Sequence, residues 1–319
     1  DALKSCTTGI RNAAFGLYSL DACTTGVYNN AFGYAALSAV TTDRDNCAFG
    51  SSALLVNTAG SNCAFGYISG TANTTGSGNS FYGSASGAAC TTGSSNTAIG
   101  ASANAGTTGS YNTTLGASAG ASISTGANNT ALGATALDAL TTGSNNVAIG
   151  LNALTTLTTA SSNVAMGVDC SRLMTTGTLN TAVGRSSLET CTTGNYNTSF
   201  GYNTLNSLTT ADENTAIGYA SMVNTTTGHS NAALGTCALQ ENSTGTYNVG
   251  LGPSTLRRCS TGHHNIGIGH AAGDHVTSGE HNVLIGRNAG TDISTGHSNI
   301  CIGYDAGANV TSNSNVFVG

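Results

Sequence analysis

The sequence predicts an all-β fold, a parallel β-solenoid or β-roll of about 19 coils of 17 residues. Three observations lead there. One decapeptide recurs along the chain, as TTGSSNTAIG at 91–100, TTGSNNVAIG at 141–150, TTGTLNTAVG at 175–184 and TTGNYNTSFG at 192–201. Its apolar residues do not follow helical spacing, and the Gly, Asn and Thr in these copies are poor helix formers. Only 7% of residues are charged, Trp is absent, Pro occurs once and Gly 44 times, yet apolar residues stand at regular positions that a disordered chain lacks.

Each column of the repeat has a physical reading. Counted from the Asn of Asn-x-small-apolar-Gly, the pattern runs from Asn12 to Asn315 in 19 copies, with 15 intervals of 17 residues and three of 16. Gly stands four residues after every anchor, so that Asn146 and Gly150, Asn163 and Gly167, and Asn180 and Gly184 form a turn ladder. Gly supplies positive φ there, and Asn tolerates it while bonding nearby backbone. Three residues after the anchor the side chain is always apolar and sizeable, as at Phe15, Phe32, Phe49, Phe65, Ile99, Leu115, Leu132, Ile149, Ile217, Ile268, Ile285 and Ile302. That column is expected to be the core ladder. The residue before it is usually Ala, as at Ala14, Ala98 and Ala148, and strand alternation sends it to the opposite face. A small-residue face of that kind suits close approach of another chain.

Two further columns complete the coil. Eight residues after the anchor comes Leu or Met in ten copies and Gly in six, and six before it lies a mostly apolar column with Cys23, Val40, Ile123, Leu140 and Met174. Two short β segments per repeat are expected, joined by Gly and Asn turns. Seventeen residues bury no core alone, so the coils must stack, at about 4.8 Å each, into a rod roughly 90 Å long. One repeat domain covers 1–319. Leu3 already fits the Leu column of a preceding copy and Gly319 is an anchor glycine, so the expectation is a segment of a longer fibre, or end-to-end assembly.

Catalytic and ligand-binding patterns are missing. GIGHAA at 267–272 matches a dinucleotide fingerprint in letters only, because its strand–helix context is replaced by the repeat. The seven His fall between His229 and His297, and column mates two coils apart lie too far from one another for one ion. Ten Cys include no CxxC; Cys6 with Cys23 and Cys47 with Cys63 are column mates whose parallel Cβ atoms stand slightly too far apart for an easy disulfide. The pairs Asp43/Asp45 and Asp212/Glu213 do not repeat as a calcium turn would. A net charge of −6 with scattered basic residues marks no nucleic-acid footprint, and no apolar run reaches membrane-span length. No enzyme activity, cofactor or metal is expected.

A Thr-Thr block precedes each Gly-rich turn. Thr74, Thr91, Thr107, Thr141, Thr158, Thr175 and Thr192, five before their anchors, are a candidate surface ladder of the kind that orders water at ice. Adjacent Thr residues point to different sides, however, which leaves a single outward rank, and the other reading is that β-branched Thr favours a strand end while its hydroxyl satisfies turn backbone before the Gly.

The strings TTGSNNVAIGLNAL at 141–154 and NTAIGYASM at 214–222 resemble the repeats of trimeric autotransporter adhesin heads and the similar shafts of phage and giant-virus fibres. The resemblance covers essentially the whole chain. It implies a left-handed β-roll packed side by side in a homotrimer, with Val147 and Ile149 in the core and Ala148 outward. The chain departs from adhesin heads in repeat length, in the Thr-Thr-Gly block and in its many Cys, which favours a viral type of fibre. The expectation is a non-enzymatic fibre or spike shaft at a virion or cell surface or outside the cell, with an attachment role toward a host surface. An ice-binding roll and a head-to-tail filament are the alternatives.

Overall fold

The anchor Asn sets where each strand begins. The computed structural model describes residues 1–104 and 108–319, and a three-residue strand follows every anchor. Two compact units result, Asp1–Ser161 and Ser162–Gly319. The first holds β1 (Ala13–Phe15), β2 (Asn30–Phe32), β3 (Cys47–Phe49), β4 (Cys63–Phe65), β5 (Ser80–Tyr82), β6 (Thr97–Ile99), β7 (Thr113–Leu115), β8 (Thr130–Leu132) and β9 (Val147–Ile149). The second holds β10 (Val164–Met166), β11 (Thr181–Val183), β12 (Thr198–Phe200), β13 (Thr215–Ile217), β14 (Ala232–Leu234), β15 (Val249–Leu251), β16 (Ile266–Ile268), β17 (Val283–Ile285), β18 (Ile300–Ile302) and β19 (Val316–Val318). Within each unit consecutive strands pair in parallel and in register, so Ala31 lies beside Ala48 and Ala182 beside Ser199. This is the parallel β-solenoid that the period predicts.

Glycine ends each strand for two reasons. Gly33 has φ +139°, which side chains rarely adopt, and a Cβ there would stand 2.4 Å from the Gly50 carbonyl oxygen of the next coil. The anchor Asn works differently from the expected turn residue. From Asn29 to Asn299 it is buried, and positive φ falls instead on the residue before it, as at Asn145 and Leu179. Its amide ties coils together: Asn180 Nδ2 donates to the Gly194 carbonyl at 2.8 Å, and Asn180 Oδ1 accepts from the Asn197 backbone N–H at 3.0 Å. Asn146 donates in the same way to the Ala160 carbonyl, and Asn163 to that of Gly177.

The expected second β segment is a run of turns. Positions six and eight after the anchor both carry positive φ, as at Ala35 (53°) and Leu37 (52°). A left-handed leucine costs about 1–2 kcal/mol. Leu37, Leu54, Leu137, Leu188 and Leu205 are nonetheless fully buried, which contributes about 1.5–3 kcal/mol each. Burial outweighs the strain. The turns also bond along the stack, with Leu37 N–H donating to the Ala53 carbonyl at 3.1 Å.

The core ladder is the Ala column, and the large apolar column lies outside. Ala31, Ala48, Ala98, Ala148, Ala165 and Ala216 are fully buried. Phe15, Phe32, Ile99, Leu115, Leu132, Ile217, Ile268 and Ile302 are exposed, and Phe49, Phe65, Ile149 and Ile285 are half-buried. Val147 likewise faces out with Ile149, while Ala148 faces in. Alternation separates the two columns but does not say which one is inside; coil width decides. Opposite the strand stands the buried Leu of the second turn, and the gap between them holds an alanine.

Exceptions to the Ala rule prove the width. Phe81 is buried in an Ala position, and a Cβ added to Gly87 or Gly70 would meet its ring at 2.5 Å and 2.8 Å. Leu284 stands in the same way against Gly290 and Gly273, at 2.5 Å and 2.6 Å. Conversely, Gly267 takes the inner strand position where a Cβ would stand 2.9 Å from Leu256. Volume is exchanged across the coil, large for small, so that the packed interior keeps its density.

Candidate functional site: the outward strand face

Each strand turns its first and third residues outward, since only the second fits inside. Neither outward column carries a charged residue in any copy. The first column is Thr, Val, Ile, Cys, Ala, Ser or Asn, and the third is aliphatic or aromatic throughout. In the first unit the third column stacks: Phe32 on Phe49 at 4.6 Å, Phe49 on Phe65 at 4.8 Å and Phe65 on Tyr82 at 5.0 Å between ring centroids, nearly parallel. All eleven Tyr are exposed, and several flank the strands, among them Tyr34, Tyr67, Tyr202 and Tyr219. An uncharged apolar centre with tyrosines beside it has the composition of a protein interface core.

The threonine ladder lies elsewhere and is engaged. Thr74, Thr91, Thr141, Thr158, Thr175 and Thr192 are half-buried, and Thr107 lies outside the described residues. The hydroxyls of Thr74, Thr141, Thr175 and Thr192 donate to the carbonyls of Thr91, Thr158, Thr192 and Thr209, at 3.0–3.2 Å. These groups hold one coil to the next. The exposed rank is the following residue, as at Thr75, Thr92, Thr142 and Thr176.

Histidines and carboxylates serve the turns. His263 Nδ1 accepts from the Thr246 backbone N–H at 3.0 Å and His297 Nδ1 from that of Glu280 at 3.2 Å. Asp212 Oδ1 fills the same role for Asn195 at 2.6 Å, while Glu213 Oε2 accepts from Ser230 Oγ at 3.0 Å beside an open groove lined by His229 and Tyr247. Among the described residues no group of three or more His, Cys, Asp or Glu is placed to hold a metal ion, and no helix is long and apolar enough to cross a membrane.

All ten cysteines are free thiols, six of them buried. Burial pushes Cys170, Cys191 and Cys259 up to about 12 and Cys90 up to about 11, against backbone hydrogen bonds that pull them down. These four are core residues. Cys47 and Cys63 differ, because they stand outward and in register on β3 and β4.

Comparison with protein-family models, with curated proteins and with solved structures finds no match.

Proposed function

We propose that the chain is a non-enzymatic structural fibre or spike-shaft segment that packs side by side with copies of itself, as a homotrimer, through the outward strand face. The observation that carries this reading is the pair of charge-free outward columns, apolar in the third position of every strand. Their axial spacing, 4.6–5.0 Å between successive rings, is matched coil for coil by a partner with the same rise, and a second copy of this chain has it. The resemblance to adhesin heads and viral shafts supports side-by-side packing in a homotrimer and an attachment role at a virion or cell surface, while the face that packs is the one the resemblance would turn inward. The Ala column, expected from its small residues to meet a partner, serves the interior instead.

Light scattering on the purified chain tests the proposal. A mass of about three times 31.4 kDa is expected, falling to one when Ile149 and Ile217 are both changed to Asp with the circular dichroism unchanged. A monomeric wild-type chain overturns it. The exposed threonine rank then makes an ice-binding roll the better reading, which thermal hysteresis would register.

A further inference from the structure

We propose that Cys47 and Cys63 form a two-thiolate site for a soft, two-coordinate monovalent cation of the Cu(I) class. The two residues are register partners on the adjacent parallel strands β3 and β4, both outward and half-buried. The side chains two residues along the same strands, Phe49 and Phe65, stack 4.8 Å apart, which measures the separation of the strands on this face. A disulfide needs Cβ atoms within about 3.5–4.5 Å, closer than parallel side chains at that spacing reach. Two metal–thiolate bonds of about 2.3 Å in line span about 4.6 Å, which fits. Zinc would need four ligands, whereas a thiolate-seeking Cu(I)-type ion is satisfied by two soft donors.

Tyr82 Oη lies 3.3 Å from Cys63 Sγ, at the end of the stacked Phe49, Phe65 and Tyr82 rings that follow on the same face. Binding breaks two S–H bonds, forms two S–metal bonds and releases two protons to solvent, leaving one net negative charge toward which the Tyr82 hydroxyl can donate. Both ligands come from one chain, and they stand on the outward strand face through which copies are proposed to pack.

Silver(I), a redox-inert probe of the same coordination preference, tests the site on the reduced full-length protein without oxygen. The expected result is one ion per chain that resists a competing chelator. It is lost in C47S and in C63S, kept in C237S, and held about tenfold or more less tightly in Y82F. Serine already follows Cys63 in this column at Ser80, so the variants are expected to keep the wild-type circular dichroism. Retention of the ion by C47S, no stoichiometric uptake by wild type, or a Cys47–Cys63 disulfide in its place would overturn the proposal.

Discussion

The two units stack the same coil with different side chains. In Asp1–Ser161 the outward face carries the ladder of rings from Phe15 to Tyr82, and the one ion pair among its described residues joins neighbours Arg44 and Asp45, both largely exposed. In Ser162–Gly319 ion pairs run from coil to coil, Arg172 to Glu189 at 2.9 Å and Arg257 to Asp274 at 2.7 Å, and all seven His belong to this unit. Backbone ladders, Asn and Gly are common to both. The axial repeat is therefore set by backbone and Asn, and the side chains at the surface are free to vary provided that like sits above like.

The three thiols raised furthest, Cys170, Cys191 and Cys259, lie in the second unit, while Cys23, Cys47 and Cys90 are raised in the first. Below about pH 9 each thiol is protonated whether the chain is folded or not, so it adds no pH dependence. Between 9 and about 12 the unfolded chain loses protons that folded Cys170, Cys191 and Cys259 retain, and stability falls as pH rises. Three such thiols give a slope of about 4 kcal/mol per pH unit, against about 1.4 for Cys90 in the first unit. Urea midpoints from pH 8 to 11 are expected to flatten strongly when all three are changed to Ala and little in C90A. Equal flattening would remove the distinction.

Core exchange is the next largest effect. Phe81→Ala leaves a cavity and is expected to cost about 3–5 kcal/mol, with Leu284→Ala costing about 2–5. The Gly87→Leu change restores the common Ala-and-Leu coil, so the pair Phe81→Ala with Gly87→Leu is expected to recover about half of the loss, as is Leu284→Ala with Gly290→Leu. Additive losses in a double-mutant cycle would show that the inner strand position and the second turn do not share one space.

The period and the parallel stack were legible in the sequence, because every copy keeps its Asn and Gly at fixed spacing. The need for glycine was legible as well, although its closeness to the next carbonyl was not. What the sequence hid was direction. Phe49 and Ala48 alternate equally well with either one inside, and size favours the wrong choice when a coil is too narrow for a ring. The signal that could have corrected it was present: Phe81 and Leu284 occur in the Ala column beside Gly87 and Gly290, a compensation that makes sense only if that column is interior. The Thr hydroxyls left two readings open for a related reason, since β-branching marks a strand edge but does not tell a solvent-facing hydroxyl from one bonded to backbone, and the structure has the second.

The Asn ladder should respond alike in both units, which tests the claim that it sets the common repeat. Asn180→Ala strips an acceptor from the Asn197 N–H and a donor from the Gly194 carbonyl, and Asn46→Ala does the same to Asn62 N–H. Each is expected to cost about 1–3 kcal/mol in urea unfolding. A loss confined to one unit would mean that the other is held by its side-chain ladder instead.

The smallest expected effect falls on the ladder peculiar to the second unit. Arg257 holds Asp274 with two hydrogen bonds, Nε to Oδ1 at 2.7 Å and Nη2 to Oδ2 at 3.1 Å, and that carboxylate raises the guanidinium above its ordinary value. The Arg side chain is about one-third exposed, so water and salt screen the pair, and Arg257→Ala is expected to cost no more than about 1 kcal/mol. Raising the salt should shrink that difference, while Phe32→Ala in the first unit, which removes a ring from the stack, should show none of this salt dependence. Similar salt responses in the two variants would mean that the ion pairs of Ser162–Gly319 decorate its coils without helping to hold them.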